Sequence, residues 1–281
     1  MPAASVPPTV CSPGQTDEVR VDVATLAAST TRFPPPTIVD VRRDAAFERD
    51  PVIVPGAIRR RPEDVGAWAG GLDRWRPIVV YCAHGREASV DAARVLRERG
   101  LDARALEGGL EAWRESGRPT IRYREPTRWV TRERPKIDRI ACPWLLRRFV
   151  DPDARVDYVP AGEVLAHARR TGATPFDVPD VEYTHVGARC SFDAFVERHA
   201  IRVPGIERLA AIVRAADTGA LDDAPEAAGL LAASLGLSRM IGDDQAMLGL
   251  GLALYDALYL ACTDASGETH GWNPDALRAA R

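Results

Sequence analysis

Short apolar runs alternate with amphipathic stretches through the first part of the chain. Residues 37–41, 57–59, 78–81 and 103–106 are rich in β-branched and other apolar side chains and read as strands, as does the alternating stretch 18–23. Residues 24–29, 45–49, 62–68, 89–99 and 110–114 read as helical segments. In 89–99, Val90, Ala93, Val95 and Leu96 form the apolar side, and Gly100 stops the pattern. Pro34, Pro35 and Pro36 force an extended connection. Strands alternating with helices predict an α/β unit with a mainly parallel sheet flanked by helices.

Beyond residue 122 the pattern changes. Strands are expected at 129–132, 156–159, 174–178 and 181–185, and helices at 137–150, 163–170 and 192–199, the last with Ser191 as its N-cap. Ile137, Ile140, Trp144, Leu145 and Phe149 give the 137–150 helix its apolar side, and Pro143 lies near its start or kinks it. The remainder, 206–216, 226–235 and 243–262, is helical, so this half is mixed α+β and mostly helical. The expected organisation is a disordered stretch over 1–16, one domain over 17–121 and a second over 122–281. Residues 246–262 are the most apolar stretch; Asp256 interrupts them and they are short for a membrane span, which predicts a buried helix.

Composition narrows the function classes. Apolar residues make up 46% and charged residues 27% of the 281 residues, the profile of a soluble globular protein. A net charge of −3 gives no basic excess for nucleic acid, and neither a nucleic-acid nor a membrane partner is expected. The N-terminus has neither the basic region nor the apolar core of a signal peptide. Cys11, Cys82, Cys142, Cys190 and Cys262 are scattered and odd in number, which argues against a disulfide framework and points to a reducing cytoplasm.

The chemistry centres on Cys82. Val79, Val80 and Tyr81 deliver it to the end of a strand, a loop with Gly85 follows, and a helix then begins. This layout curls backbone amides around a thiolate and adds the positive end of a helix dipole. The loop resembles the active-site loop of the rhodaneses, a sulfurtransferase family. Asp40-Val41-Arg42 resembles the family's early strand end, Pro55-Gly56-Ala57-Ile58 its turn, and the run 106–113, with Gly108, Gly109 and Trp113, its closing segment. The resemblance implies that Cys82 takes the outer sulfur of a sulfane donor or a protein persulfide and passes it to a nucleophile, with no cofactor required. It also implies that the amides of Ala83, His84, Gly85, Arg86, Glu87 and Ala88 cradle the charge, that Arg86 meets an oxyanion, and that Asp40 and Arg42 brace the wall. His84 reads as a loop residue more than as an acid–base group. The family's loop carries arginine at the place held here by Glu87, a carboxylate that disfavours thiosulfate; with His84 it suits a protein-bound persulfide or another oxyanion.

In the second half, Glu182, His185 and Cys190 are candidate metal ligands, joined by Asp138 and Arg139 from the earlier helix. On a strand Glu182 and His185 point to opposite faces; on a helix they share one. Asp138 alternatively caps its helix, Arg147 and Arg148 form a solvated face or meet an oxyanion, and His167, His199 and His270 are expected to be exposed. Residues 137–149, 183–192 and 254–259 resemble the chromate-resistance-associated domain over roughly 127–265. That resemblance implies a place in the chromate response, in some members as a regulator. The expected function is a sulfurtransferase linked to chromate resistance. The alternative is a chromate-responsive sensor that binds an oxyanion such as chromate, or a metal, in its second domain beside a non-catalytic first one.

Overall fold

The computed structural model describes residues 19–267, so the disorder expected over 1–16, Cys11 and His270 lie outside the described residues. The chain divides into two compact units between Tyr123 and Arg124.

Unit 1 runs β1 (Arg20–Val21), α1 (Val23–Ser29), β2 (Thr37–Asp40), α2 (Asp44–Arg49), β3 (Val52–Ile53), β4 (Ala57–Arg59), α3 (Val65–Trp68), β5 (Ile78–Tyr81), α4 (Glu87–Glu98), β6 (Ala103–Leu106), α5 (Gly109–Glu115) and β7 (Ile121–Arg122). Five strands form a sheet in the order β1-β6-β5-β2-β4 with every pairing parallel. The boundary expected at 122 falls inside β7, which pairs antiparallel with β3.

Both faces of this sheet are apolar, which the period of two in a strand explains. Val39, Ile78, Val80 and Cys82 join Ala92, Ala93 and Leu96 of α4 in one core. Their sequence neighbours Ile38, Val79 and Tyr81 join Leu26 of α1 with Leu110 and Trp113 of α5 in the other. The strand register therefore fixes which side of the sheet Cys82 faces: it emerges on the α4 side.

Unit 2 runs β8 (Arg128–Arg132), α6 (Asp138–Leu145), β9 (Arg155–Val159), α7 (Val164–Thr171), β10 (Thr174–Pro175), α8 (Ser191–Arg198), α9 (Ile206–Thr218), α10 (Ala227–Met240) and α11 (Asp244–Cys262). Its three strands are parallel in the order β10-β8-β9, and helices make up most of the rest. Pro143 lies inside α6 and has no N–H for the Arg139 carbonyl one turn back; the Tyr158 hydroxyl donates to that carbonyl at 2.8 Å. A π turn over Leu146–Val150 follows α6.

Three local expectations are corrected. Residues 181–185 form no strand: only an isolated bridge joins Tyr183 to Phe176, and the Tyr183 ring lies among Trp129, Phe195 and His199. The N-cap of α8 is Cys190, one residue before Ser191, and the Asp193 carboxylate accepts from its amide at 2.9 Å. Arg148 is not on a solvated face. It is 2% exposed and ion-paired with Asp256 of α11, which also accepts from the Trp144 indole at 2.7 Å.

That pair explains the apolar 19-residue α11, which is long and apolar enough to cross a membrane by length and composition. Met247, Leu248, Gly251, Leu252, Tyr255, Asp256 and Tyr259 form a buried stripe at helical spacing, so one side of α11 belongs to the core of unit 2. Gly251 is required there, because a Cβ would run into Ile140 of α6.

Candidate functional site

Cys82 follows the last residue of β5 and keeps 8% of its surface exposed. Its Sγ accepts from the Arg86 amide at 3.3 Å and lies 3.3 Å from the Ser89 hydroxyl. Burial pushes the thiol up; hydrogen bonding from Ser89 Oγ and from the amides of Arg86, His84 and Ser89 outweighs it, and the net result lies below the ordinary cysteine value. Helix α4 starts at Glu87, two residues earlier than the sequence pattern indicates. This brings the Ser89 side chain back onto the loop and sets the positive helix end beside the sulfur.

The Arg86 and His84 amides reach the sulfur while the carbonyls of the loop are held by other groups. Cys82 O accepts from Leu110 N at 3.0 Å and Ala83 O from Glu111 N at 3.1 Å, both in the first turn of α5. Gly85 O accepts from the Arg20 guanidinium at 3.0 Å, and Arg86 O lies 3.1 Å from Ser89 Oγ, whose one proton serves either this carbonyl or the sulfur. Ser89 and Arg20 were not among the residues singled out in the sequence. The signal for Ser89 was a serine in the first turn of a helix, where side chains reach back to the preceding loop.

Gly108 and Gly109 do more than make a turn. Gly109 has φ +62°, and a Cβ there would meet Cys82 O, Gly85 N at 2.5 Å and Ala83 C at 2.9 Å. Gly109→Ala is therefore expected to destabilise unit 1 by more than the about 1–2 kcal/mol of a left-handed alanine alone. Gly117→Ala is the control, since Gly117 has φ +75° and nothing within 4 Å of its Cβ position. The measurement is urea denaturation of both variants, with Gly109→Ala showing the lower midpoint.

The wall beside the loop is an ion pair. Asp40 and Arg42 are 0% and 2% exposed and lie 2.5 Å apart. Arg42 also donates to the carbonyls of Asp50 at 2.9 Å and Val52 at 2.7 Å, while the Tyr81 hydroxyl donates to Asp40 at 3.2 Å and accepts from Val54 N. The Arg42 guanidinium is thus committed to internal partners and serves as a brace. The sulfur opens onto a cleft bordered by Arg43, Ala46, Ala83, His84, Arg86 and Glu87. His84, Arg86 and Glu87 are exposed, and His84 Nδ1 lies 2.5 Å from Glu111. Ala88 and Arg42 complete the border.

In unit 2 the expected trio separates. Glu182 turns to Arg198 at 2.5 Å on the surface, and Cys190 is buried with its thiol pushed far up, first by burial and then by the Asp138 charge. His185 enters a cluster, and the buried Cys190 thiol borders it as a hydrogen-bond donor to Asp138. The His185 Nε2 lies 3.4 Å from Asp138, 3.4 Å from Asp177 and 3.2 Å from Asp217. Hydrogen bonding to Asp138 raises the imidazole to about 9, against a smaller opposing effect of burial. Burial first, then the charges of Asp138 and Asp177, raises Asp217 to about 6. Asp138 is the first residue of α6 and no cap, and it accepts from Ser191 N at 2.6 Å. Arg139 lies 3.4 Å from Asp177. His167 and His199 are half-buried against expectation, His167 beside Asp157 at 2.8 Å and His199 stacked on Tyr183.

Comparison with known proteins follows the same division. Residues 24–116 match the rhodanese-like domain family, and residues 129–262 match the family described as ChrB, C-terminal domain. Protein ChrB of Cupriavidus metallidurans is 32% identical over 147 residues, 50% of this chain, and the chain spans 43% of that protein's length. The thiosulfate sulfurtransferase GlpE of Shewanella oneidensis is 38% identical over 80 residues, 28% of this chain and 76% of that protein. A rhodanese-related protein from Thermoplasma volcanium is 25% identical, covers 36% of this chain and 96% of its own, and gives a TM-score of 0.32. With a buried parallel sheet ending in an amide-ringed cysteine and a second, mostly helical unit of its own, the chain belongs to the rhodanese-like family through residues 24–116 and carries a ChrB C-terminal domain at 129–262.

Proposed function

We propose that this chain is a cytoplasmic sulfurtransferase that carries sulfur as a persulfide on Cys82 and works in chromate resistance. The observation that carries this reading is the setting of Cys82 Sγ, 3.3 Å from both the Arg86 amide and the Ser89 hydroxyl, which leaves the thiol readier to ionise than ordinary cysteine. The thiolate attacks the outer sulfur of a donor. A new S–S bond forms at Cys82, the donor's own S–S bond breaks, and the leaving group departs with that electron pair, as sulfite when the donor is thiosulfate. The inward amides then hold the charge on the terminal sulfur until an acceptor thiolate or cyanide removes it. The tie to chromate resistance rests on the likeness of unit 2 to Protein ChrB.

The border of the cleft sets the donor class. Arg86 favours an anion, but Glu87 sits in the first turn of α4, where its carboxylate draws on the same helix dipole that an oxyanion would use. A persulfide presented by a protein or a small thiol fits this border better than thiosulfate. Glu87→Gln is accordingly expected to raise kcat/KM for thiosulfate by about fivefold, the equivalent of roughly one kcal/mol for a partly screened charge at this range. Steady-state thiocyanate release measures it.

Intact mass spectrometry tests the proposal. After treatment with a small-molecule persulfide the protein should gain one sulfur atom at Cys82, and cyanide should remove it as thiocyanate. Addition of no sulfur from persulfide, polysulfide or thiosulfate would leave unit 1 an anion-binding domain without turnover.

A further inference from the structure

We propose that unit 2 binds a divalent transition-metal cation between Asp138, Asp177 and His185. One ligand atom from each of these residues lies within 4.8 Å of the other two. They come from the start of α6, the loop after β10 and the turn before α8, so the fold, not sequence spacing, assembles them.

The distances suit an ion between the groups better than bonds among them. An imidazolium bonded to a carboxylate closes to about 2.7–2.9 Å. His185 Nε2 instead stands 3.4 Å from Asp138, 3.4 Å from Asp177 and 3.2 Å from Asp217, at the middle of three carboxylates, with even its hydrogen bond to Asp138 a long one.

A second observation is independent of that spacing. Asp138 is 1% exposed; its Oδ2 faces His185 and is held by Ser191 N at 2.6 Å, and its Oδ1 is buried with no N–H or O–H partner, the thiol of Cys190 being the one further donor to this carboxylate. A buried carboxylate short of strong donors is expensive unless a cation meets it. The outer contacts are those of ligands held in place: Ser191 Oγ donates to Asp177 Oδ1 at 2.9 Å, and Arg132 donates to Asp177 Oδ2 at 2.7 Å. His185 is 40% exposed and gives the ion a way in.

Donor chemistry narrows the ion. Two carboxylates and one imidazole, with Asp217 beside the imidazole, favour Mn²⁺, Fe²⁺ or Zn²⁺ over thiophilic ions. As the ion binds, the imidazole releases its proton to solvent and coordinates as the neutral ring.

The test uses the full chain stripped with a chelator, then offered Mn²⁺ alone, followed by loss of the free-ion EPR signal, and Zn²⁺ alone, followed by equilibrium dialysis with elemental analysis. The expected result is one ion per chain for at least one of the two metals. His185→Ala should weaken binding by more than about a hundredfold, the upper end for loss of a mere supporting group. Glu182→Gln and Cys82→Ser should bind as the parent does. His185 lies on a half-exposed turn, so this variant reports on binding even if Asp138→Asn fails to fold, and far-UV circular dichroism checks it. Failure of both metals to bind, or binding that survives His185→Ala unchanged, overturns the proposal. Neither outcome bears on sulfur transfer at Cys82.

Discussion

A Cys82→Ser protein should take up no sulfur from any sulfane donor, and its thiocyanate release should fall to the uncatalysed background. The substitution keeps the size and the hydrogen-bonding reach of the side chain, so the loop and its amides should stay in place; what disappears is a nucleophile that ionises near neutral pH. The parent protein supplies the companion measurement. Alkylation of Cys82 should rise with pH as the thiolate fraction grows, with a midpoint below that of an unperturbed cysteine measured alongside, because the net shift at this thiol is downward. Ser89→Ala removes the hydroxyl that lies 3.3 Å from the sulfur, so its midpoint should move toward higher pH. A Cys82 alkylation midpoint above the ordinary value in the parent would mean that burial had won over the amides.

Asp40→Ala should destabilise unit 1 by about 3–5 kcal/mol, the usual result of stripping one partner from a buried ion pair. The loss comes mainly from what is left behind. Arg42 is 2% exposed and keeps its charge, and the carbonyls of Asp50 and Val52 cannot neutralise it. The Tyr81 hydroxyl loses its acceptor as well. A double replacement, Asp40→Leu with Arg42→Met, should lose less than the sum of the two single changes, because it removes both charges at once. Urea denaturation followed by tryptophan fluorescence checks both statements. An Asp40→Ala midpoint equal to the parent's would contradict the bracing role assigned to this pair.

Much of unit 1 was legible because its signals are local. A strand of four buried residues needs only a short apolar run, and the α/β alternation supplied the class of fold. The thiol's loop was legible for the same reason. Its supports were not. Arg20 reaches Gly85 across 65 positions, and the α5 amides reach back from Leu110 and Glu111 to Cys82 and Ala83. Unit 2 hid more. Of the candidates Glu182, His185, Cys190 and Asp138, the fold turns Glu182 out to Arg198, keeps His185 beside Asp138 and adds Asp177 and Asp217 from elements far apart along the chain. The stretch 181–185 alternates like a strand, but Pro179 removes a donor just ahead of it, and Tyr183 is drawn into the aromatic group around Trp129. Arg148 looked like a surface cation until Asp256, 108 positions away, came to face it.

The anchoring of the loop's carbonyls has one more consequence. Activation of the sulfur is written in main-chain atoms tied from behind by α5 and Arg20, whereas the side chains at 84, 86 and 87 look outward over the opening. Reactivity and choice of donor are therefore separable heritable traits. Under the proposed sulfur-transfer function, drift at those three outward positions would retune which donor is accepted while the nucleophile itself stays untouched.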